Sequence, residues 1–367
     1  MAENYRILVI NPGSTSTKVA LFDGTKATFS NTIRHSDEDL APFPNITSQY
    51  EFREEIILRM LKDNGISPES IDAVVGRGGL LYPLEGGTYE VNDLMKEHLL
   101  AGVLGEHASN LGGLISSAIA GELGVPAFIV DPVVVDEMDD IARISGHPIL
   151  KRKSIFHALN HKACARVAAE RMNKKYVDVN MIVAHMGGGI SIAAHKKGRV
   201  VDVNNALNGD GPFTPERAGG LPVADLVKLC FSGKYTENEI QKMIKGKGGV
   251  VAYLGTSDVR EVLKRIENGD EKAKLILDAM CYQIAKEIGL LATVLEGDVD
   301  AIVLSGGVAY SDYVVRDIMR RVEWIAPVVI IPGEAEMEAL AGGAIRVLGN
   351  EETAKIYMGN RELVNSK

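Results

Sequence analysis

The sequence predicts an α/β protein made of two copies of one domain. Three observations carry this. A strand–turn–strand unit over residues 7–22 has a second version, over 181–194, roughly half a chain later. The chain has 367 residues, more than one ordinary domain and suited to two. Glycine and charged residues gather where apolar runs stop, which is where α/β sheets hold their sites.

The first unit opens on the apolar run Ile7-Leu8-Val9-Ile10 and closes on Val19-Ala20-Leu21-Phe22, with the turn signal Asp23-Gly24 behind it. Between them lies Asn11-Pro12-Gly13-Ser14-Thr15-Ser16-Thr17-Lys18, rich in turn formers and hydroxyls. Backbone N–H groups, Ser14, Ser16 and Lys18 facing one spot suit an oxygen anion such as phosphate. A third strand is expected over 28–33. Residues 48–64 read as a helix: Ser48 and Glu51 have capping-box spacing, Phe52, Ile56, Met60 and Leu61 share a face, and Gly65 stops it. A short buried strand over 71–76 ends at Arg77-Gly78-Gly79. A small-residue helix over 110–122, with Gly124 behind it, leads to a strand over 126–130 that ends at Asp131-Pro132.

A helix is expected over 154–172, carrying His157 and His161. The second hairpin follows: Met181-Ile182-Val183-Ala184, then His185-Met186-Gly187-Gly188-Gly189-Ile190-Ser191, then Ile192-Ala193-Ala194 and a turn at Lys197-Gly198. Residues 204–222 are rich in turn formers, and an irregular stretch of that length is usually functional. Helices are expected over 224–231, 236–245, 257–268 and 271–296. A strand over 301–304 ends at Ser305-Gly306-Gly307, with a helix from 311. A last strand over 328–331 ends at Pro332-Gly333-Glu334, with a helix from Glu336.

The totals exclude some partners. A net charge of −9 with no basic stripe argues against nucleic acid. No apolar run reaches membrane-spanning length, so no membrane partner is expected. The first strand starts almost at once, which leaves no room for a signal peptide. Cys164, Cys230 and Cys281 are scattered and form no Cys-x-x-Cys pair, as expected for reduced, mostly buried thiols of a cytoplasmic protein.

Several residues fit chemistry. Arg77 and Arg217 each stand among small residues, and a guanidinium fork suits carboxylate or phosphate. Asp131 ends a strand and is a candidate metal ligand, and Glu336 opens a helix, where a first-turn Glu is also favoured by the dipole. The 13–18 segment lacks the Gly that precedes Lys in a P-loop, and a strand follows it, so that motif is rejected. His157 and His161 have zinc-ligand spacing without the Glu of His-Glu-x-x-His.

Asn11 to Lys18, then His185-Met186-Gly187-Gly188-Gly189, then Leu304-Ser305-Gly306-Gly307, in that order, resemble the two phosphate motifs and the adenosine motif of the superfamily of acetate kinases, sugar kinases, heat-shock chaperones and actin. Phe156-His157-Ala158-Leu159-Asn160-His161-Lys162 resembles the Phe-His-Gly-Thr-Ser-His-Lys segment of acetate kinases. The similarity spans essentially the whole chain. Gly188 stands where acetate kinases usually have Asn, which removes any carry-over of that phosphate contact. Gly76-Arg77-Gly78-Gly79-Leu80-Leu81, Gly105-Glu106-His107-Ala108-Ser109-Asn110 and the 214–222 segment resemble the butyrate kinase branch. Acetate kinases have valines after the Arg, and the glycines here are expected to leave room for a longer acyl chain.

The resemblance implies two duplicated actin-like (ribonuclease H-like) α/β domains with a cleft between them. The expected division is 1–148 plus 342–367, and 149–341. It implies ATP-dependent phosphorylation of butyrate to butyryl phosphate, reversible, by direct in-line transfer. Isobutyrate, propionate or acetate are alternative acids, and a non-catalytic ATP-binding module is a remote one. By motif match, Arg77 and Arg217 would hold the acid and the moving phosphoryl group. His157 would donate to its equatorial oxygens, supported by His185. Asn11, Asp131 and Glu336 would lie near Mg²⁺. Asn11, Ser14, Ser16, Lys18 and Gly187, Gly188 and Gly189 would meet phosphates, and Ser305, Gly306 and Gly307 the adenosine of ATP or ADP. The resemblance also implies a homo-oligomer.

Overall fold

The computed structural model describes residues 4–360. Strands β1 (Arg6–Pro12) and β2 (Ser16–Asp23) are apolar on both faces and buried along most of their length. Strands covered on both sides read that way. They pair antiparallel with Asn11 opposite Lys18, and β3 (Lys26–Arg34) continues the meander beyond β2. Helices α1 (Asp37–Leu40) and α2 (Tyr50–Asp63) lead to β4 (Ala73–Arg77), which lies parallel to β1. Then come β5 (Thr88–Glu90), α3 (Asp93–Ala101) and α4 (Asn110–Leu123), and β6 (Ala127–Val130) pairs parallel with β4.

The second half repeats the plan. Helices α5 (Asp140–Arg143) and α6 (Ala158–Arg171) precede an antiparallel meander of β7 (Asn180–Met186), β8 (Ile190–Lys196) and β9 (Arg199–Val203). Helices α7 (Val223–Cys230), α8 (Glu237–Ile244), α9 (Val250–Leu254), α10 (Val259–Glu267) and α11 (Glu271–Val294) follow. Strand β10 (Ala301–Gly306) pairs parallel with β7; after α12 (Asp312–Val322), β11 (Val328–Pro332) pairs parallel with β10. Helix α13 (Glu336–Leu348) and β12 (Lys355–Ile356) end the described chain.

One sheet has the order β12-β5-β6-β4-β1-β2-β3 and the other β11-β10-β7-β8-β9. The run β6-β4-β1-β2-β3 is therefore the same topology as the whole second sheet. The match reaches single residues. Ile7 pairs with Ala73, and Met181 with Ala301, so Asn11 of β1 occupies the place of His185 in β7. Each meander has its register shift at the corresponding point, Leu21/Phe22 in one and Ala194/His195 in the other. These are two copies of one domain.

The chain divides into two compact units, one running to Val135 and resuming at Ala335, the other Asp136–Glu334. The expected division was 148/149 and 341/342. Residues 1–3 and 361–367, which it included, lie outside the described residues. Helix α13 packs on β1, β4 and β6, which puts it with the first unit from its first turn. In the second unit, Ile182, Ala184, Ile302 and Leu304 cover α11 and α12, while Met181, Val183, Ala301 and Val303 cover α6. Alternate residues of one strand thus feed two cores.

Two local expectations are corrected. The helix expected from residue 154 begins at Ala158, and His157 sits at its N-cap with φ −81° and ψ 61°. Its backbone N–H lies 3.5 Å from Ser191 Oγ of β8, so the neighbouring sheet takes the approach to the helix. The Ser48 capping box is not formed. Asn45 Oδ1 accepts from Ser48 N at 2.9 Å, and Ser48 Oγ donates back to Asn45 O at 2.7 Å. Cys164 and Cys281 are buried, whereas Cys230 is exposed. Among the described residues no helix is long and apolar enough to cross a membrane.

Candidate active site

In the first unit, three adjacent parallel strands deliver site residues at their carboxyl ends. Asn11 is the last residue but one of β1, Arg77 ends β4, and Asp131 follows β6. Glu336 enters the same group from the first turn of α13. Asn11 Nδ2 donates to Glu336 Oε2 at 2.8 Å, Arg77 Nη1 reaches the same oxygen at 3.1 Å, and Asn11 Oδ1 lies 3.4 Å from Arg77. Asp131 is buried with φ 38°, and its Oδ1 accepts from Gly87 N at 2.6 Å. Lys18 is exposed and stands opposite Asn11 across the β1–β2 pair.

The turn from Gly13 to Ser16 is built around a residue outside the motifs given above. Arg53 of α2 is wholly buried. Its guanidinium donates to Gly13 O at 2.7 Å, Ser14 O at 2.8 Å, Ser16 O at 3.2 Å and Thr17 Oγ1 at 3.1 Å. Gln49 Oε1 takes the remaining donors. Among the described residues no carboxylate pairs with it. Burial lowers its pKa to about 10, so it is still a cation at neutral pH. The signal was available: Arg53 shares the buried face of α2 with Ile57, Met60 and Leu61, where a charge is out of place.

In the second unit the Gly187-Gly188-Gly189 turn is pinned by Thr214, whose Oγ1 donates to Gly188 O at 2.6 Å and accepts from Arg217 N at 3.0 Å. The Arg217 guanidinium lies on Gly189 so closely that a Cβ there would overlap it. Arg217 Nη1 donates to Ala206 O at 2.7 Å, while its Nε is buried with no hydrogen-bond partner among the described residues. Burial lowers its pKa, and the Glu216 charge partly opposes this. Guanidinium stays protonated under such perturbation.

His157 stacks on His185 with ring centroids 4.0 Å apart. His185 Nδ1 is hydrogen-bonded to Asn160 Oδ1 at 2.8 Å, and Ser305 Oγ donates to the same oxygen at 2.9 Å. Asn160 therefore ties α6 to the ends of β7 and β10. His185 Nε2 lies 3.4 Å from Glu334 Oε1, near enough for an ion pair but not aligned as a hydrogen bond. Ser305 is buried with its hydroxyl turned inward, whereas Gly307 is exposed with open space where a Cβ would stand. Asn160, Ser191, Thr214 and Glu334 are not among the expected site residues, although each stands inside a segment that the sequence marks: 156–162, 185–191, 214–222 and 332–334.

The structure therefore groups Asn11, Arg77 and Glu336 in one unit, and His157, His185, Arg217 and the 187–189 turn in the other. One expectation fails on packing. A Cβ at Gly78 would meet Pro132 Cβ at 2.5 Å, and one at Gly79 would meet Asn110 Oδ1 at 2.5 Å and Leu99 Cδ2 at 2.8 Å. The volume beside these glycines is filled by the protein itself, so they do not open room for an acyl chain.

Two copies of this sheet, each with a polar or glycine-rich turn after its first strand, define an actin-like α/β fold. A profile described as the Acetokinase family matches residues 145–337, and the chain belongs to that family. It is accordingly a kinase acting on a carboxylate. Solved structures agree on the fold. The acetate kinase of Porphyromonas gingivalis superposes with a TM-score of 0.74 at 23% identity, covering 94% of this chain and 100% of that one. A propionate kinase from Francisella tularensis gives 0.71 at 20% identity, covering 92% and 98%. A ROK hexokinase from Thermus thermophilus gives 0.50 at 14%, covering 95% and 100%.

Proposed function

We propose that the protein transfers the γ-phosphoryl group of ATP to butyrate, reversibly, giving butyryl phosphate and ADP. A carboxylate oxygen forms the new P–O bond as the bond to the ADP oxygen breaks. The carboxylate is already ionised at neutral pH, so no proton is removed and no general base is needed. The work left is positioning and charge neutralisation.

The observation that carries this reading is Arg217. It is a half-buried guanidinium whose Nε has no hydrogen-bond partner among the described residues, and it lies on Gly189 of the turn whose Gly187 neighbours His185 Nε2. Keeping such a donor out of water is costly unless an anion takes it up. Arg217 is assigned to the transferred phosphoryl group, with His157 donating to its oxygens and His185 backing that ring. Arg77, in its ion pair with Glu336, is assigned to the acid. The 187–189 turn and the 11–18 segment with Ser14, Ser16 and Lys18 are assigned to phosphates, and Gly306 and Gly307 to the adenosine. Asn11 and Glu336 offer hard oxygen donors, and both contacts of Glu336 use Oε2, which leaves Oε1 for Mg²⁺. Asp131 stands at the end of β6, two strands from Asn11. Mg²⁺ held by these residues would neutralise nucleotide phosphate charge. A cytoplasmic homo-oligomer remains part of the proposal.

Butyrate is preferred over acetate or propionate on the three butyrate-kinase-like segments. Two of them interlock: Asn110 Oδ1 accepts from Leu80 N at 2.8 Å, and Asn110 Nδ2 donates to Gly105 O at 3.1 Å. They behave as one packed piece rather than two chance matches. Trapping acyl phosphate with hydroxylamine, with Mg-ATP and acetate, propionate, butyrate, isobutyrate and valerate in parallel, tests this. A maximum at four carbons is expected. A maximum at acetate or propionate would move the protein to another branch, and no product with any acid would overturn the kinase reading.

A further inference from the structure

Behind His157 lies a line of hydrogen bonds that the phosphoryl-transfer reading does not use. His157 Nδ1 is 2.8 Å from Ser191 Oγ, and the same oxygen is 2.8 Å from His161 Nε2. His161 Nδ1 is 3.3 Å from His195 Nε2, and His195 Nδ1 is 2.7 Å from Tyr176 OH. His161 and His195 stack with their planes 4° apart, and Ser191, His161 and His195 have no exposed surface. No turn of the backbone requires this row. The groups come from the N-cap and body of α6, from β8 and from the segment before β7.

Burial, then the charges of Lys162 and Arg166, hold the His195 pKa well below the ordinary value; burial and the three other imidazoles do so for His161. Both rings are neutral, so each carries one N–H and one lone pair. The two imidazoles must point the same way: both N–H groups run toward Ser191, or both run toward Tyr176. In the first case Ser191 Oγ accepts from His161 Nε2–H and faces the His157 backbone N–H at 3.5 Å, which leaves its own hydrogen for His157 Nδ1. Tyr176 decides between them: a phenol is a far better donor than acceptor toward an imidazole nitrogen, so its hydrogen goes to His195 Nδ1. Arg166 lies 5.4 Å and Lys162 5.9 Å from the centre of the Tyr176 ring, and Lys162 is paired with the buried Glu137 carboxylate at 2.9 Å.

We propose that Tyr176, His195, His161 and Ser191 are positioning residues, whose hydrogens all run toward His157 and fix its proton on Nε2. Tyr176 donates to His195 Nδ1, His195 Nε2–H to His161 Nδ1, His161 Nε2–H to Ser191 Oγ, and Ser191 to His157 Nδ1. The ring of His157 then presents Nε2–H as a neutral donor, without needing to be protonated. This rests on the reading in which that ring meets the transferred phosphoryl group. Asp does this duty for histidine in many hydrolases; here a neutral row does it without adding a negative charge next to phosphate.

The test is ¹⁵N NMR of histidine-labelled protein, with the His157 signals assigned by their loss in His157→Gln. Wild-type protein should show neutral His157 with Nε2 protonated and Nδ1 bare. Tyr176→Phe removes one hydroxyl and the first donor, and should raise the Nδ1–H form while lowering kcat about tenfold, with KM for ATP within twofold. Ser191→Ala should do the same more strongly, and both variants should melt as single folded species. A wild-type His157 found with Nδ1 protonated overturns the proposal. So does an unchanged tautomer and kcat in both variants. Full turnover in His157→Gln would instead sink the reading on which it rests, while the tautomer result would still judge the row itself.

Discussion

At the scale of single residues, two arginines are held without an ion pair among the described residues. Arg217 keeps its Nε unused, and Arg53 is buried among carbonyl oxygens. The two predict different failures. The backbone of Arg217 holds the Thr214 turn, and Ala keeps that backbone. Arg217→Ala should therefore stay folded while kcat falls by about 10²–10³-fold, the scale of losing one oxyanion donor. A loss under tenfold, measured on folded protein, would remove Arg217 from the phosphoryl group. Arg53→Met should act first on the fold, because it strands the oxygens of Gly13, Ser14 and Ser16. A loss of roughly 2–4 kcal/mol in urea unfolding is expected, with a raised KM for ATP in the protein that remains folded. Unchanged stability would mean that water replaces the guanidinium. Arg77 and Arg217 were legible because guanidinium among small residues is a recognisable pattern. Arg53 was not read, because in sequence it looks like one charge on an amphipathic helix.

At the scale of elements, the seam between β4 and α4 shows how glycine spacing sets backbone distance. A Cβ at Gly76 would overlap Gly112 O, and one at Gly112 would overlap Arg77 O. The strand that carries Arg77 is thus pressed directly onto a helix backbone. Gly121 lies in the same helix with open space around it. Gly112→Ala should cost several kcal/mol, about 3 or more, whereas Gly121→Ala should gain up to about 1 kcal/mol from helix propensity. Equal effects in urea unfolding would disprove the close-approach argument. The same physics explains what sequence reading recovered. Strands buried on both faces appear as continuous apolar runs, so β1, β2, β4, β6, β7 and β10 were legible. Strand β5 has three residues and β12 two, too few to show a period, and α3 lies in a stretch where polar and apolar residues alternate loosely. The start of α6 was misplaced because Ser191, thirty-odd residues away in sequence, claims the backbone before it.

At the scale of the whole molecule, both units bury imidazoles, and this makes stability depend on pH. Burial, then the Arg53 charge, lowers His35 in the first unit to about 4, with Asp39 opposing, and its Nε2 sits 2.9 Å from Thr17 Oγ1. His161 and His195 in the second unit are held well below 6.5. Each of the three is neutral when folded and takes up a proton on unfolding once the pH drops under about 6.5. Their stabilisation is present above that value and is lost as the pH falls toward the folded pKa. Glu287 works the other way. Burial, then the Asp210 charge, raises it to about 7, so it is protonated in the fold and releases a proton on unfolding between about pH 7 and 4.5. Three protons gained against one released leaves a net uptake of about two. Each is worth about 1.4 kcal/mol per pH unit, so unfolding free energy should fall by roughly 2–3 kcal/mol per unit around pH 5.5. Urea titrations at pH 7.5, 6.5 and 5.5 measure this slope. His35→Asn should lessen it by about one proton's worth. A slope near zero would mean that the fold admits charged imidazoles at these positions, and the neutral row behind His157 would then lose its basis as well.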